Sequence, residues 1–480
     1  MEKKNIWELY GAEELKEIEV LASGYRNFLD RGKTERECID ITITLLQENG
    51  YRDLDALITK GTKLTRGDKV YRTLANKLLV AFNIGKLPCA QGMNILGAHV
   101  DSPRLDIKQN PLYEEDGIAY LDTHYYGGVK KYQWVTIPLA LHGVVVKKDG
   151  TTVTVNIGEK EDDPVFFVPD LLPHLAREQM EKKASKVIEG EALDIVIGNR
   201  PLIINENNEK VVEETKADAA DSGKDLIKKN VLAILKQNYD IEEEDFISAE
   251  LEVVPAGRAR EAGFDRSMIL AYGQDDRVCA YPGLIAMLET ADVAKTACLI
   301  FADKEEIGSV GATGMHSRFF ENTVAELMNL MGEYNELDVR RTLASSAMLS
   351  IDVGAAYDPI YKSSFDKRNA SLMGAGVFVS KFGGSGGKSR SNDADAEYLG
   401  YLRRIFDENG IRFQTAELGK VDAGGGGTIA YILANYGMKV IDSGIAIMNM
   451  HAPWEASSKV DIYEAKRAWA AFLRSDMMTP

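Results

Sequence analysis

Histidine is scarce in this chain, with six residues in 480. A histidine placed beside an acidic residue therefore carries more information here than in a His-rich sequence. Cysteine is scarcer still. Cys38, Cys89, Cys279 and Cys298 lie far apart and form no Cys-x-x-Cys pair, which argues against a thiolate zinc site or a disulfide framework and leaves reduced, mostly buried thiols as the expectation. Long apolar runs are also missing. The longest, around residues 134–146, is too short to span a bilayer, and the first ten residues lack the apolar core of a secretory signal. A cytoplasmic protein is expected. Basic charge is in deficit as well, with 57 Lys and Arg against 74 Asp and Glu and a formal net charge of -17. That balance argues against nucleic acid and anionic lipid, which need a basic surface, and favours divalent cations or cationic groups as guests.

What is present is an ordinary globular composition, 45% hydrophobic and 27% charged, in a chain long enough for two or more domains. Residues 13–49 carry the periodicity of two helices, with Leu15, Ile18, Ala22 and Tyr25 on one stripe and Cys38, Ile41 and Leu45 on another. Residues 77–83 and 93–99 read as buried strands, the second running into His99-Val-Asp101-Ser-Pro103, where proline stops the sheet. From 104 to 253 the character changes to short strand-like runs such as Trp134-Val-Thr-Ile137 and Gly143-Val-Val-Val146. This region reads as a β-rich insert. It contains a highly charged surface stretch, 205–245, interrupted by one amphipathic helix near 225–238. From 254 on, strand and helix alternate again up to a final helix over 461–473. The expected organisation is a catalytic domain in two parts, 1–103 and 254–480, around the insert at 104–253. Its fold class is α/β, a mainly parallel sheet flanked by helices.

The chemistry centres on the stretch Thr296-Ala-Cys-Leu-Ile-Phe-Ala-Asp-Lys-Glu-Glu-Ile-Gly308, an apolar run that delivers Glu305 and Glu306 into a glycine-containing turn. In extended backbone neighbouring side chains point opposite ways, so one carboxylate can bind a metal while the other moves protons. Taken alone, the pair reads more simply as solvated acids at a strand end. In His99-Val-Asp101 the i, i+2 spacing puts imidazole and carboxylate on one face, letting Asp101 accept the ring's other N–H and fix the ligating tautomer. Asp275 and Asp276 stand at a strand-to-helix junction, where N-capping is the plainer role. Asp352 and His451 end further apolar runs. Each signal is modest by itself, and their recurrence at successive strand ends is what points to a metal site.

In order along the chain, His99-Val-Asp-Ser-Pro103, Gln274-Asp-Asp-Arg277, Lys304-Glu-Glu-Ile-Gly308, Ser350-Ile-Asp352 and Met450-His451 with Glu455 resemble the M18 aminopeptidases, the aspartyl aminopeptidase family. The Asp-Asp-Arg and His-Ala-Pro-x-Glu wording is also similar to the related M42 aminopeptidases. The resemblance implies a dinuclear zinc aminopeptidase that removes the N-terminal residue from peptides with a free N-terminus, with Mn2+ or Co2+ as substitute metals. It implies His99 and Asp352 on one zinc, Glu306 and His451 on the other, Asp275 bridging both, and Glu305 as the general base. It further implies that the insert is a dimerisation domain, that His174 reaches a neighbouring subunit's site, and that the chain assembles as a homo-oligomer, a dodecamer built from dimers.

Two positions depart from the family pattern. Ala355 and Asp358 stand where the family commonly has histidines, which leaves the preferred N-terminal residue open. Two alternatives also remain at this point: a related zinc amidohydrolase such as a carboxypeptidase or deacylase, and a non-catalytic scaffold on the same fold. Phe382-Gly-Gly-Ser-Gly-Gly-Lys-Ser389 lacks the first glycine of the phosphate-loop pattern. His142, inside a strand-like run, reads as a structural histidine.

Overall fold

The computed structural model describes residues 4–203, 224–389 and 391–476. It forms two compact units, one from Met1–Ser102 with Arg258–Pro480 and one from Pro103–Gly257. Of the charged stretch at 205–245, the part up to 223 lies outside the described residues.

The first unit is organised by a nine-stranded sheet. Thr296–Ala302, Met93–His99, Ala347–Ile351 and Lys439–Gly444 lie side by side in that order and run parallel. The first three of these strands are buried throughout, as continuous apolar runs in a sheet covered on both faces must be. Alternation divides their side chains between two cores. Leu299 and Phe301 join a cluster with Tyr25, Leu284 and Trp469, whereas Cys298 and Ile300 join another with Phe320, Val324 and Leu327. Helices Ala12–Arg31, Gln274–Leu288 and Lys459–Arg474 thus contribute to one core, and Phe319–Met331 to the other. Because the central strands are parallel, their carboxyl ends share one edge of the sheet, the edge where open α/β sheets bind ligands.

Among the described residues the sheet is mixed, with five parallel pairings and three antiparallel ones where mainly parallel pairing was expected. Lys69–Leu74 and Leu78–Asn83 form a hairpin, and the second of them joins Thr296–Ala302 antiparallel. Ala75 and Asn76 in its turn both have positive φ, 52° and 54°, and the Lys77 N–H closes the turn on the Leu74 carbonyl at 3.0 Å. At the other side Val377–Ser380 runs antiparallel to Lys439–Gly444. The two opening helices form as the periodicity predicts. The second, Glu35–Glu48, starts with a capping box: the Thr34 hydroxyl accepts the Glu37 N–H (3.3 Å) and the Glu37 carboxylate accepts that of Thr34 (3.1 Å). A separate five-stranded sheet in this unit pairs Met268–Ala271 with Glu455–Ser458, setting Ala271 opposite Glu455.

The second unit is a six-stranded, wholly antiparallel sheet, with Leu139–Val146, Ala249–Pro255, Arg104–Glu115 and Ile118–Tyr126 at its centre. Helix Leu226–Tyr239 forms where the amphipathic pattern predicts it. Trp134–Ile137 is not a strand, contrary to expectation. A helical turn over Lys131–Gln133 ends at the buried Trp134, Thr136 takes a φ of 61°, and only Val135 makes a bridge, to Val168. The apolar run there marks burial of the indole and not extended pairing. All four cysteines are free and buried. Among the described residues no helix is long and apolar enough to cross a membrane.

Candidate metal and catalytic site

Each candidate side chain of the first unit follows from a strand end. His99 closes Met93–His99, Asp352 follows Ala347–Ile351, and Glu305 and Glu306 follow Thr296–Ala302. The glutamate pair is not extended, as the sequence suggested. Lys304 turns the chain with a φ of 66°, Glu305–Ile307 form a 3-10 turn, and Gly308 leaves it at 97°. What holds the turn is Asp101. One of its carboxylate oxygens accepts the Glu305 N–H (3.1 Å) and the other that of Glu306 (3.2 Å). The loop beyond is closed by Asp303, whose carboxylate accepts the Thr313 hydroxyl (2.5 Å) and the Lys304 ammonium (3.0 Å).

Asp275 is not a helix cap. It and Asp276 have non-helical backbone angles within Gln274–Leu288, and the Asp275 carboxylate lies between two imidazoles. Its Oδ1 is 3.3 Å from His99 Nε2 and its Oδ2 is 3.2 Å from His451 Nε2. Around His99 Nε2 stand Asp352 Oδ1 at 3.8 Å and Glu305 Oε2 at 4.0 Å, whereas Glu306 Oε1 is 3.4 Å from His451 Nε2. The other ring nitrogen of His99, Nδ1, lies 3.3 Å from Asp101 Oδ1 and 3.0 Å from the Asp101 carbonyl oxygen. That is the tautomer-fixing contact expected of His99-Val-Asp101, with the backbone oxygen sharing it.

His99 and Asp275 are buried, His451 is 33% exposed, and the groups are unequal in charge. Burial opposes protonation of His99, but hydrogen bonds donated by its ring to the Asp101 and Asp275 carboxylates outweigh it and hold the imidazole well above its usual range. Burial would lift Asp275, yet the two imidazoles hold it below the ordinary carboxylate range. Glu306 and Asp352 go the other way, pushed well up first by burial and then by the negative charge of Asp275. Burial likewise raises Glu305 to about 7. Carboxylates crowded out of water repel one another and call for a positive charge that two imidazoles cannot fully supply.

A divalent cation fits that demand. Ligand atoms of His99, Asp275 and Glu306 lie within 4.8 Å of one another, as do those of His99, Asp276 and Asp352. Glu306 Oε1 is buried without a hydrogen-bond partner, a cost that a metal bond removes. The nitrogen and oxygen donor set suits zinc.

The sequence reading underrated two residues. Asp276 is fully buried, and its Oδ2 accepts the His99 N–H at 3.4 Å. Glu455 accepts the backbone N–H groups of Gln274 (2.6 Å), Asp275 (3.1 Å) and His451 (2.8 Å). Of the departures from the family pattern, Ala355 sits in the short strand Gly354–Ala355, and the Asp358 carboxylate caps a turn by accepting the Ile360 N–H at 2.8 Å. His174 is exposed on the second unit. His142 is buried there, its Nε2 3.2 Å from Glu159, as a structural histidine should be. The glycine-rich segment 382–389 packs on a second glycine run, Gly424-Gly-Gly-Gly427, the Gly384 N–H donating to the Gly426 carbonyl at 2.7 Å.

A protein-family model described as "Aminopeptidase I zinc metalloprotease (M18)" matches residues 28–473. A "Probable M18 family aminopeptidase 1" of Clostridium acetobutylicum is 56% identical over 474 residues, covering 99% of this chain and 98% of that protein. Its counterpart of the same description in Thermotoga maritima is 43% identical, over 98% of this chain and 99% of that one. Among solved structures, aminopeptidase I from Clostridium acetobutylicum superposes with a TM-score of 0.89 at 53% identity, over 99% of this chain and 100% of that chain. An M18-family aminopeptidase from Thermotoga maritima gives 0.90 at 42% identity, over 99% of both. This chain belongs to the M18 family of zinc metallo-aminopeptidases.

Proposed function

We propose that the site holds two zinc ions, His99 and Asp352 on one, Glu306 and His451 on the other, with Asp275 shared between them. The observation that carries this reading is the placement of the two Asp275 oxygens, each facing a different imidazole at 3.2–3.3 Å. When bound, zinc supplies Lewis acidity, which polarises a peptide carbonyl and makes a water more acidic. The remaining work belongs to the chain's own residues. Glu305 Oε2 lies 4.0 Å from His99 Nε2, and its carboxyl group, lifted to about 7 by burial, suits a group that takes up and returns a proton near neutral pH. It accepts the proton of the attacking water and returns it to the leaving amine. Asp101 orients His99 and fixes the turn that separates the roles of Glu305 and Glu306.

For the second unit we propose a role in holding subunits together, with His174 serving a neighbour's site in a homo-oligomer. Val165, Phe167, Leu171, Leu172, Leu175 and Met180 are all exposed around it, from 45% to 75%. Large apolar side chains left together in water are characteristic of protein contact surfaces.

The deciding experiment pairs metal analysis with hydrolysis. Protein loaded with zinc should contain two ions per chain and cleave aminoacyl substrates but not their N-acylated forms, and chelation should abolish turnover. One ion at saturation removes the shared role of Asp275. Zinc, manganese and cobalt compared across aminoacyl substrates will give the preferred residue.

A further inference from the structure

We propose that Glu455 is the positioning residue that holds the Asp275 and His451 segments in register, so that metal affinity at the site depends on its carboxylate. The inference rests on the two-ion reading above and adds to it a residue that touches no metal. Asp275 lies at the head of Gln274–Leu288, whereas His451 lies in a turn 176 residues later in the chain. Nothing in the sequence keeps their side chains 3.2 Å apart. Glu455 does so through backbone. Its Oε2 accepts the N–H groups of Gln274 and Asp275, and its Oε1 accepts that of His451.

The surroundings leave Glu455 no other position. It is 1% exposed and opens the strand Glu455–Ser458, paired to Met268–Ala271 just ahead of the Asp275 segment. Gln274 closes the arrangement from the other side, its side-chain amide donating to the backbone oxygens of Glu455 and Ile269. Its Oε1 accepts the Ser457 hydroxyl. His451 also has a φ of 63°, a conformation that non-glycine residues keep only where the surroundings over-determine it. A buried acceptor held at 2.8 Å on its own N–H is such a determinant.

The proposal separates two substitutions. Glu455→Gln keeps one oxygen and turns the other into a donor. With the oxygen kept on the two N–H groups of Gln274 and Asp275, the new NH2 faces the His451 N–H and pushes that segment away. Glu455→Ala releases both segments. Metal-free parent and variants would be titrated with zinc by calorimetry and with cobalt by visible absorption, with far-UV circular dichroism as the check on folding. Glu455→Gln should weaken one of the two ions by about 10- to 100-fold, the scale of an outer-shell partner, and Glu455→Ala should weaken both by at least ~10-fold. The cobalt spectrum should change in each, a signal that loss of general stability would not produce. Should Glu455→Ala fail to fold, Glu455→Gln decides alone. Folded variants that bind both ions with the parent's affinity and cobalt spectrum overturn the proposal. A parent that binds a single ion defeats the two-ion reading but not the role of Glu455, which is then judged by that ion's affinity in the variants. A parent that binds none defeats both.

Discussion

Asp101 and Glu305 are 204 residues apart in the chain, yet the Asp101 carboxylate accepts the Glu305 backbone N–H at 3.1 Å while its second oxygen takes that of Glu306 at 3.2 Å. The same carboxylate lies 3.3 Å from His99 Nδ1. One buried side chain therefore ties the His99 strand end to the turn that carries both glutamates. Asp101→Asn keeps the size but leaves one oxygen for these donors, so the turn and the imidazole lose a common support. Metal affinity should fall by about 10- to 100-fold, measured by chelator competition, with kcat/KM falling at least as much at saturating zinc. Unchanged affinity and rate would show that the turn holds itself.

The proposed division between Glu305 and Glu306 gives opposite signatures for a one-atom change. Glu305→Gln should leave zinc content near the parent's while kcat falls by at least ~10²-fold, the scale of a general base. Glu306→Gln removes an anionic donor facing His451, so zinc content should drop and added zinc should recover part of the rate. Metal analysis beside steady-state kinetics reads both. If Glu305→Gln lost zinc while Glu306→Gln kept it, the two assignments would be exchanged.

How much of this was legible beforehand follows from the kind of signal each residue leaves. His99, Glu305, Glu306 and Asp352 stand where apolar runs end, and hydrophobic periodicity reads such ends directly. Asp275 left the same signal as a helix cap, because capping and ligation both place an aspartate at a strand-to-helix junction; only tertiary structure separates them. The extended geometry expected for Glu305 and Glu306 failed because Lys304 adopts a φ of 66°, a conformation that no lysine advertises. Trp134–Ile137 failed for another reason: an apolar run states burial, and an indole can be buried from a helical turn. Glu455 was least visible, since its work is done on backbone N–H groups far away in sequence.

Two buried carboxyl groups that are not among the proposed metal ligands contribute a pH dependence of stability. Asp461 accepts the N–H groups of Gly374 (2.6 Å) and Gly376 (2.8 Å), and burial raises it to about 7; burial likewise raises Asp442 to about 6. A carboxyl group raised in the native state keeps its proton while the unfolded chain, near 3.8, has lost it. The native state thus binds more protons between these values, and stability falls as pH rises through about 4 to 7. Chelated protein should lose at least ~2 °C of unfolding midpoint between pH 5 and pH 7.5. Asp461→Asn should start lower and show a flatter dependence. A midpoint that rises across this range in the parent would reverse the assigned direction.

The segment around His174 leaves large apolar side chains exposed. Leu175 is 67% exposed and Met180 75%, values that are costly for a surface facing only water and ordinary for one covered by another subunit. Replacing Leu172 and Leu175 together by lysine should leave each chain folded, since neither side chain is buried, but should shift sedimentation toward smaller species. If His174 serves a neighbour's site, activity should fall with assembly even though every proposed metal ligand is intact. A mixing experiment separates assembly from chemistry: subunits carrying Glu305→Gln and subunits carrying His174→Ala are each expected to be weakly active. In verified mixed oligomers some sites would combine an intact Glu305 with a neighbour's intact His174, so part of the activity should return. Mixed oligomers that recover nothing would place the action of His174, if any, within its own subunit, and a parent that sediments as a monomer would remove the trans role altogether.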